Sequence, residues 1–509
     1  MSGGRTIAKN TLFLYIRMFL ITGITLYTSR IVLKELGVSD FGIYSIVGGI
    51  VAMLGVLNSA MATATQRYLS FDLGLGDFEK LKRTFCATLS IHIGIAIFVL
   101  ILTETLGLWY VNNKMVFPQN RLYAVNVIYQ FSIFTLLLSI VQVPYNALIL
   151  ARERMKVYAY VSIIEASLKL MIVFMLGVFG SEKLITYSIL TFVVAFIVRI
   201  IYQIYCRRHF PESKFQFKWE VDYFRELVSY SGWNLFGSIA VICRNQGSNM
   251  LLNLFFGTVV NASYGITNQV QAAVSMFVTN FQSALNPQII KSYALDDKER
   301  MYDLICKGSK LSFFLVLLMF FPLYYNIDYI LSIWLVNAPE YSNKFIRLAL
   351  IVIGIDCLSG PLMVGAQATG KIKYYQIVVG FILFLNLPLS YVLLKGGFAR
   401  PEIVYYVSIT MSILAFAFRI VFLKKMIMFP VGYYFRHVIL VICLIVLICV
   451  GIYTFCIPSI LTMSGLRGFV FSSALIFIVS ILLIIILGLN VQERAFLTGF
   501  FSKDVKNKS

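Results

Sequence analysis

Residues 228–286 read VSYSGWNLFGSIAVICRNQGSNMLLNLFFGTVVNASYGITNQVQAAVSMFVTNFQSALN. Two apolar segments of membrane length run through this stretch, separated only by Gly257 to Val260. On a helix, Tyr264, Asn268, Gln271, Ser275, Thr279, Gln282 and Asn286 recur at steps of three and four, which puts them on one face. The preceding segment carries Asn234, Ser238, Arg244, Asn245, Asn249 and Asn253, the last three one turn apart. An unpaired amide facing lipid costs several kcal/mol, so such a stripe must line a wet cavity or a helix interface. A stripe long enough to cross the bilayer, with an arginine beside it, favours the cavity.

The rest of the chain has the same character. Of its 509 residues 59% are hydrophobic and only 13% charged, and the mean hydropathy is +0.84. That composition excludes an ordinary soluble domain and points to a polytopic membrane protein. The net charge of +20 is spread over short loops between apolar runs, so no nucleic-acid partner is expected. Eight scattered cysteines without a CxxC pair and three distant histidines argue against a metal centre or a disulfide framework. The N-terminal apolar segment is too long for a signal-peptide h-region and reads as a signal anchor. No GxxxxGK[ST] loop occurs, so the chain does not power itself with ATP.

Fourteen apolar segments reach roughly 20 residues, enough to span the hydrocarbon core. Their cores are 11–33, 42–65, 85–109, 122–149, 158–179, 184–205, 228–256, 261–285, 309–334, 346–369, 374–394, 402–423, 437–457 and 466–489. Asn386 and Pro388 interrupt the eleventh. With the N-terminus in the cytoplasm, the inside loops collect most of the Lys and Arg, including Arg152, Arg154, Arg207, Arg208, Lys291 and Lys298. The outer side keeps fewer, among them Arg30, Lys34, Lys114, Arg121 and Lys183. This loop-by-loop alternation predicts both termini inside.

The chain also repeats. Phe256-Gly257 leading to Tyr264-Gly265-Ile266 matches Leu36-Gly37 leading to Tyr44-Ser45-Ile46 at an offset of 220. Pro144 to Tyr158 matches Pro361 to Tyr375 at 217, Phe196 to Ile201 matches Phe416 to Val421 at 220, and Phe210-Pro211 matches Phe429-Pro430 at 219. The period spans six helices, an even number, so the two copies have the same membrane orientation. The reading is an all-α polytopic membrane protein of about 14 transmembrane helices, with two six-helix lobes in parallel repeat plus two C-terminal helices. The expected parts are residues 1–206 (first lobe), 207–226 (linker), 227–425 (second lobe), 426–490 (appended helices) and 491–509 (cytoplasmic tail). Parallel repeats in transporters surround the substrate path.

The run Ser29-Arg30-Ile31-Val32-Leu33-Lys34-Glu35-Leu36-Gly37-Val38-Ser39-Asp40-Phe41-Gly42-Ile43-Tyr44 resembles the helix 1–2 signature of O-antigen and polysaccharide flippases of the Wzx type. Pro144 to Tyr158 is similar to their helix 4–5 junction. The resemblance covers about residues 8–430 and places the chain with the MOP exporters, alongside MATE drug exporters and lipid II flippases. It implies a MATE/MOP-like fold that moves undecaprenyl-diphosphate-linked oligosaccharide across a bacterial inner membrane by alternating access. Partners would then be that substrate, membrane lipids, and polymerase or glycosyltransferase proteins of polysaccharide biosynthesis.

Ionisable residues at membrane depth are costly and mark function. Arg17 and Arg244 each place a guanidinium mid-helix in the first helix of a lobe, and guanidinium binds phosphate groups bidentately. They are the candidate diphosphate contacts, unless each pairs with a carboxylate to hold its lobe. Asn234, Asn245, Asn249, Asn253, Asn268, Gln271 and Gln282 are the candidate glycan contacts. Asp356, which has no basic neighbour one turn away, and Glu165, four residues from Lys169, are candidates for ion coupling. No cofactor is expected beyond a proton or sodium gradient. Arg199 and Arg419, matched across the repeat, read as snorkelling or lobe-anchoring residues. A transporter, not an enzyme, fits best. The rivals are a MATE-type cation-coupled multidrug exporter, which would favour acids over the basic residues buried here, and a membrane polysaccharide polymerase, which would need larger loops.

Overall fold

A computed structural model describes residues 2–53, 55–113, 121–176, 182–216, 221–335, 339–397, 400–460, 465–490 and 493–494, and among them every regular element is a helix. The first repeat comprises α1 (Ser2–Met53), α2 (Gly55–Leu75), α3 (Phe78–Leu102), α4 (Leu108–Asn113), α5 (Leu122–Ala151), α6 (Met155–Leu176) and α7 (Lys183–His209). A π-helical turn, Thr103–Gly107, joins α3 to α4. The second repeat runs α8 (Val221–Phe256), α9 (Thr258–Ala294), α10 (Lys298–Trp334), α11 (Ser342–Ala368), α12 (Lys373–Phe384), α13 (Asn386–Lys395) and α14 (Ile403–Ile427). The appended pair is α15 (Val431–Tyr434), continuing through a π turn into α16 (Leu440–Ile460), and α17 (Leu466–Leu483).

Ten helical stretches among the described residues are long and apolar enough to cross a membrane. In α8 and α9 polar residues dilute the apolar runs, and Asn10–Thr25 is a shorter apolar stretch of α1. The 52-residue α1 would be roughly 78 Å long if straight, too long for one crossing. Its packing shows that it doubles back. Leu14 clusters near Leu150 at one end of α5, whereas Asp40 pairs with Arg121 at the other end at 3.0 Å. Val47 then packs with Val125, and Leu69 with Leu148, so the chain returns along α5. The break expected after Leu36 is therefore absent from the helical winding, although the reversal is present. Ion pairs from Glu35 to Lys183 (2.9 Å) and Asp40 to Arg121 hold the bend.

The eleventh span breaks where expected. Pro388 lacks an amide proton, and the helix resets at Leu385 between α12 and α13. Asn386 is fully buried there, donating to Ser408 Oγ at 2.8 Å and accepting from Ser248 Oγ at 3.3 Å.

The duplication is visible in the backbone. Gly76 (φ 72°) and Asp296 (φ 55°) are left-handed residues at an offset of 220, and Glu153 (φ 57°) and Gly370 (φ 76°) are left-handed at 217. These turns close α2, α9, α5 and α11, so each copy bends its chain at the same two places.

Two compact units emerge. The first contains Met1–Ile239 with Ser283–Lys298 and Gly370–Ile377, and the second Ala240–Gln282, Glu299–Thr369 and Val378–Ser509. The first unit thus incorporates the end of α9 and the α11–α12 turn from the second repeat. Its core runs from Leu81, Phe85, Tyr145 and Val198 to Val99, Val125 and Ile133. The second unit packs Leu252, Tyr264, Phe345, Val404 and Tyr405. Its appended pair is tied by Tyr453, whose hydroxyl donates to Ile476 O at 2.8 Å.

Candidate functional site

In the first unit a cavity of about 470 Å³ opens between α1, α5, α6 and α7. Arg17, Thr25 and Thr28 face it from the first arm of α1, and Tyr44 from the second. Gln142 and Asn146 flank Pro144 on α5, while Tyr158, Ser162, Glu165 and Lys169 form a stripe along one face of α6. Tyr187 and Tyr202 close it from α7.

The Arg17 guanidinium lies 4.5 Å above the Tyr158 ring, with Nη2 3.5 Å from that hydroxyl. Among the described residues no carboxylate pairs with Arg17, so the lobe-holding alternative is not what the geometry offers it. Cation–π contact with Tyr158 is worth about 1 kcal/mol, less than a carboxylate partner would give. Arg17 Nε, Thr28 Oγ1 and Asn146 Oδ1 are buried polar atoms without a hydrogen-bond partner among the described residues. Each such atom costs on the order of 1–3 kcal/mol unless water or a ligand reaches it. The cavity is built to be wet or occupied. Glu165 and Lys169 pair at 2.7 Å, as their spacing implied, and both border the cavity.

In the second unit Arg244 and Asp356 are joined, which is the carboxylate pairing that the sequence left as the alternative. Arg244 Nη2 donates to Asp356 Oδ2 at 3.0 Å and Nη1 to Ser412 Oγ at 3.2 Å. The basic neighbour that Asp356 lacks on α11 comes from α8. The Arg244 side chain is 10% exposed and that of Asp356 32%, so the carboxylate is the wetter partner. Ser248 extends the network by donating to Arg244 O at 2.6 Å and to Asn386.

The amide stripe divides. Asn234, in the first unit, is buried and accepts from Gln376 Nε2 at 3.2 Å. Gln282 Nε2 donates to Ser312 Oγ and to Cys357 O, both at 3.0 Å. These two hold helices together. Asn245 and Asn268 are exposed, and Asn249 and Gln271 half-buried. Tyr264 tethers the pair of helices by donating to Asn245 O at 2.8 Å. The side chain of Asn253 lies outside the described residues. Arg199 and Arg419 are both buried, and Arg199 stacks 4.4 Å above Tyr145 and donates to Gln203, which makes it an anchor and not a snorkelling residue.

The sequence reading singled out Arg17 and Glu165 in the cavity but passed over Gln142, Asn146, Tyr158 and Ser162. The signal was available: Tyr158, Ser162, Glu165 and Lys169 keep helical spacing, and Gln142 and Asn146 stand four apart.

The polysaccharide biosynthesis protein family model matches residues 7–293, and the MatE model residues 235–392. Among curated proteins none matches the chain significantly. Among solved structures, an outward-facing multidrug resistance MATE family transporter of the MOP superfamily superposes with TM-score 0.72 at 9% identity, covering 83% of this chain and 95% of that one. The MATE transporter ClbM in complex with Rb+ gives 0.69 at 14%, covering 82% and 94%. A MATE in the bent conformation gives 0.72 at 10%, covering 84% and 96%. At these identities the likeness establishes the fold, and the family model spans more than half the chain. The chain belongs to the polysaccharide biosynthesis protein family and is a multi-pass membrane protein with the fold of these MATE transporters.

Proposed function

We propose that the protein is a flippase that carries undecaprenyl-diphosphate-linked oligosaccharide, an O-antigen, capsule or exopolysaccharide repeat unit, across the inner membrane by alternating access, with both termini cytoplasmic. The observation that carries this reading is the first-unit cavity, where a guanidinium without a carboxylate partner stands among unpartnered amide and hydroxyl atoms. A polyanionic diphosphate satisfies the guanidinium, and sugar hydroxyls satisfy the rest. Arg17 takes the diphosphate in this scheme. Arg244 is the second cation, paired with Asp356, which together with Glu165 is the candidate for coupling to a proton or sodium gradient. Asn245 and Asn249 on α8, with Asn253 on the same helix, and Asn268 and Gln271 on α9 offer the glycan their amides, while Asn234 and Gln282 position the helices. Polymerase and glycosyltransferase proteins would act on either side of the transport step.

A second reading, a MATE-type cation-coupled multidrug exporter, is favoured by Glu165, whose carboxylate borders the cavity and could meet a cation in place of Lys169. Deleting the gene and following the lipid-linked oligosaccharide separates the two. Accumulation on the cytoplasmic side, with export restored by the native gene and not by Arg17→Ala, supports the flippase. Unchanged export together with new sensitivity to cationic dyes overturns it in favour of the drug exporter.

A further inference from the structure

The ends of α2 and α9 cross within the first unit. A Cβ built at Gly74 would stand 2.7 Å from Ala294 Cβ and 3.0 Å from Lys291 Cα, so only glycine permits the approach. Positions 74 and 294 are equivalent under the repeat offset of 220. Two copies of one helix end therefore meet each other, as they must beside a two-fold axis. The Phe71 and Tyr293 rings meet at the same place, 6.3 Å apart.

On either side of the crossing, each helix end grips the helix junction of the other repeat. From α9, Lys291 Nζ pairs with Glu153 Oε1 at 2.5 Å, and Gln288 Nε2 donates to Glu153 Oε2. From α2, Arg67 lies against Gly370, where a Cβ would stand 2.7 Å from Nη2. Arg67 is buried and stacks on Tyr68 at 4.5 Å and Phe71 at 4.9 Å. Glu153 and Gly370 are themselves repeat equivalents with the same left-handed backbone. Glycine takes that conformation freely and glutamate only at a conformational cost, so the Glu153 side chain stands there against the local preference.

We infer that this layer is a two-point latch that seals one end of the transport path. One grip is ionic (Glu153 with Lys291 and Gln288), and the other is close-packed (Arg67 over Gly370). Opening that end separates the last turns of α9 from the α5–α6 turn, and the Glu153–Lys291 pair is the contact that must break. The inference depends on the transporter fold and not on the nature of the cargo.

The test reads accessibility, not transport, so it stands apart from the flippase reading. Ser292 is buried in the last turns of α9, and Ser292→Cys supplies a thiol that reports separation. The purified full-length protein is treated with a membrane-impermeant maleimide, and the parent chain, with its own cysteines, gives the background. Glu153→Gln and Lys291→Gln should each raise the Ser292→Cys labelling rate about tenfold, a ~1.4 kcal/mol shift in the opening equilibrium. The exchange Glu153→Lys with Lys291→Glu should bring it back toward the parent rate. Labelling that is unchanged in the single variants, or that stays high in the exchange variant while the protein remains monodisperse, overturns the latch.

Discussion

Replacing Asp356 by leucine leaves the Arg244 guanidinium with one side-chain hydrogen bond, to Ser412 Oγ at 3.2 Å, in a site where the arginine is 10% exposed. Breaking a fully buried pair from one side costs about 3–5 kcal/mol, because the remaining charge is stranded. Asp356 is 32% exposed, so water partly screens the pair and the expected loss falls to about 2–3 kcal/mol. Removing both charges with Arg244→Met and Asp356→Leu should recover most of that loss, since no stranded charge remains. The corresponding coupling energy is about 1–2 kcal/mol. Denaturant titration of the four proteins in detergent, read by tryptophan fluorescence, supplies the cycle. The double variant should be stable and inactive in export. Strictly additive single losses would show that the two residues do not share their charge, and a role for the pair in ion coupling would fail with them.

Gly360→Ala should cost about 1–3 kcal/mol, because its Cβ would stand 2.7 Å from Gln282 Nε2 and displace the bonds to Ser312 and Cys357; thermal unfolding checks it, and Gln282→Ala should relieve the clash. Asp296→Gly should stabilise by up to about 1 kcal/mol, since its left-handed backbone suits glycine and its pair with Lys298 is exposed. Gly370→Ala should destabilise by more than that in the same assay, through both its positive φ and the Arg67 contact. Burial raises the carboxyl pKa of Asp72, which lies beyond the second expected span and accepts from Thr84. The native state then holds this proton more tightly than the unfolded chain. Its contribution is full below the ordinary value of 3.8 and is lost as pH rises through the raised value, and Asp72→Asn should flatten that part of the stability profile.

Much of the architecture was written in apolar run length, because a bilayer imposes a fixed thickness on every segment. The repeat was readable from Pro144 and Pro361, or Phe210-Pro211 and Phe429-Pro430, which resist replacement for backbone reasons. What escaped was partner choice. Periodicity places Asn234, Asn245, Asn268 and Gln282 on helix faces, yet it is silent on whether a face meets another helix or open space. Asn234 and Gln282 met helices, and Asn245 and Asn268 did not. The Arg244–Asp356 pair stood only as an alternative for a similar reason: its members sit on helices far apart in the chain, and spacing does not choose between them. The reversal within α1 was legible at Leu36-Gly37, and only the continued helical winding through it was not.

The two left-handed turns shared by the copies carry a consequence for how such duplications diverge. In one copy the α2 turn is glycine and the α5 turn glutamate, while in the other the corresponding residues are aspartate and glycine. Each copy has glycine at one turn and an acidic residue at the other, in opposite places. The shape of the main chain is thus the same at both turns while the residue that holds it differs. Ancestry of this kind is better traced by tolerance of positive φ, position by position, than by counting identical letters.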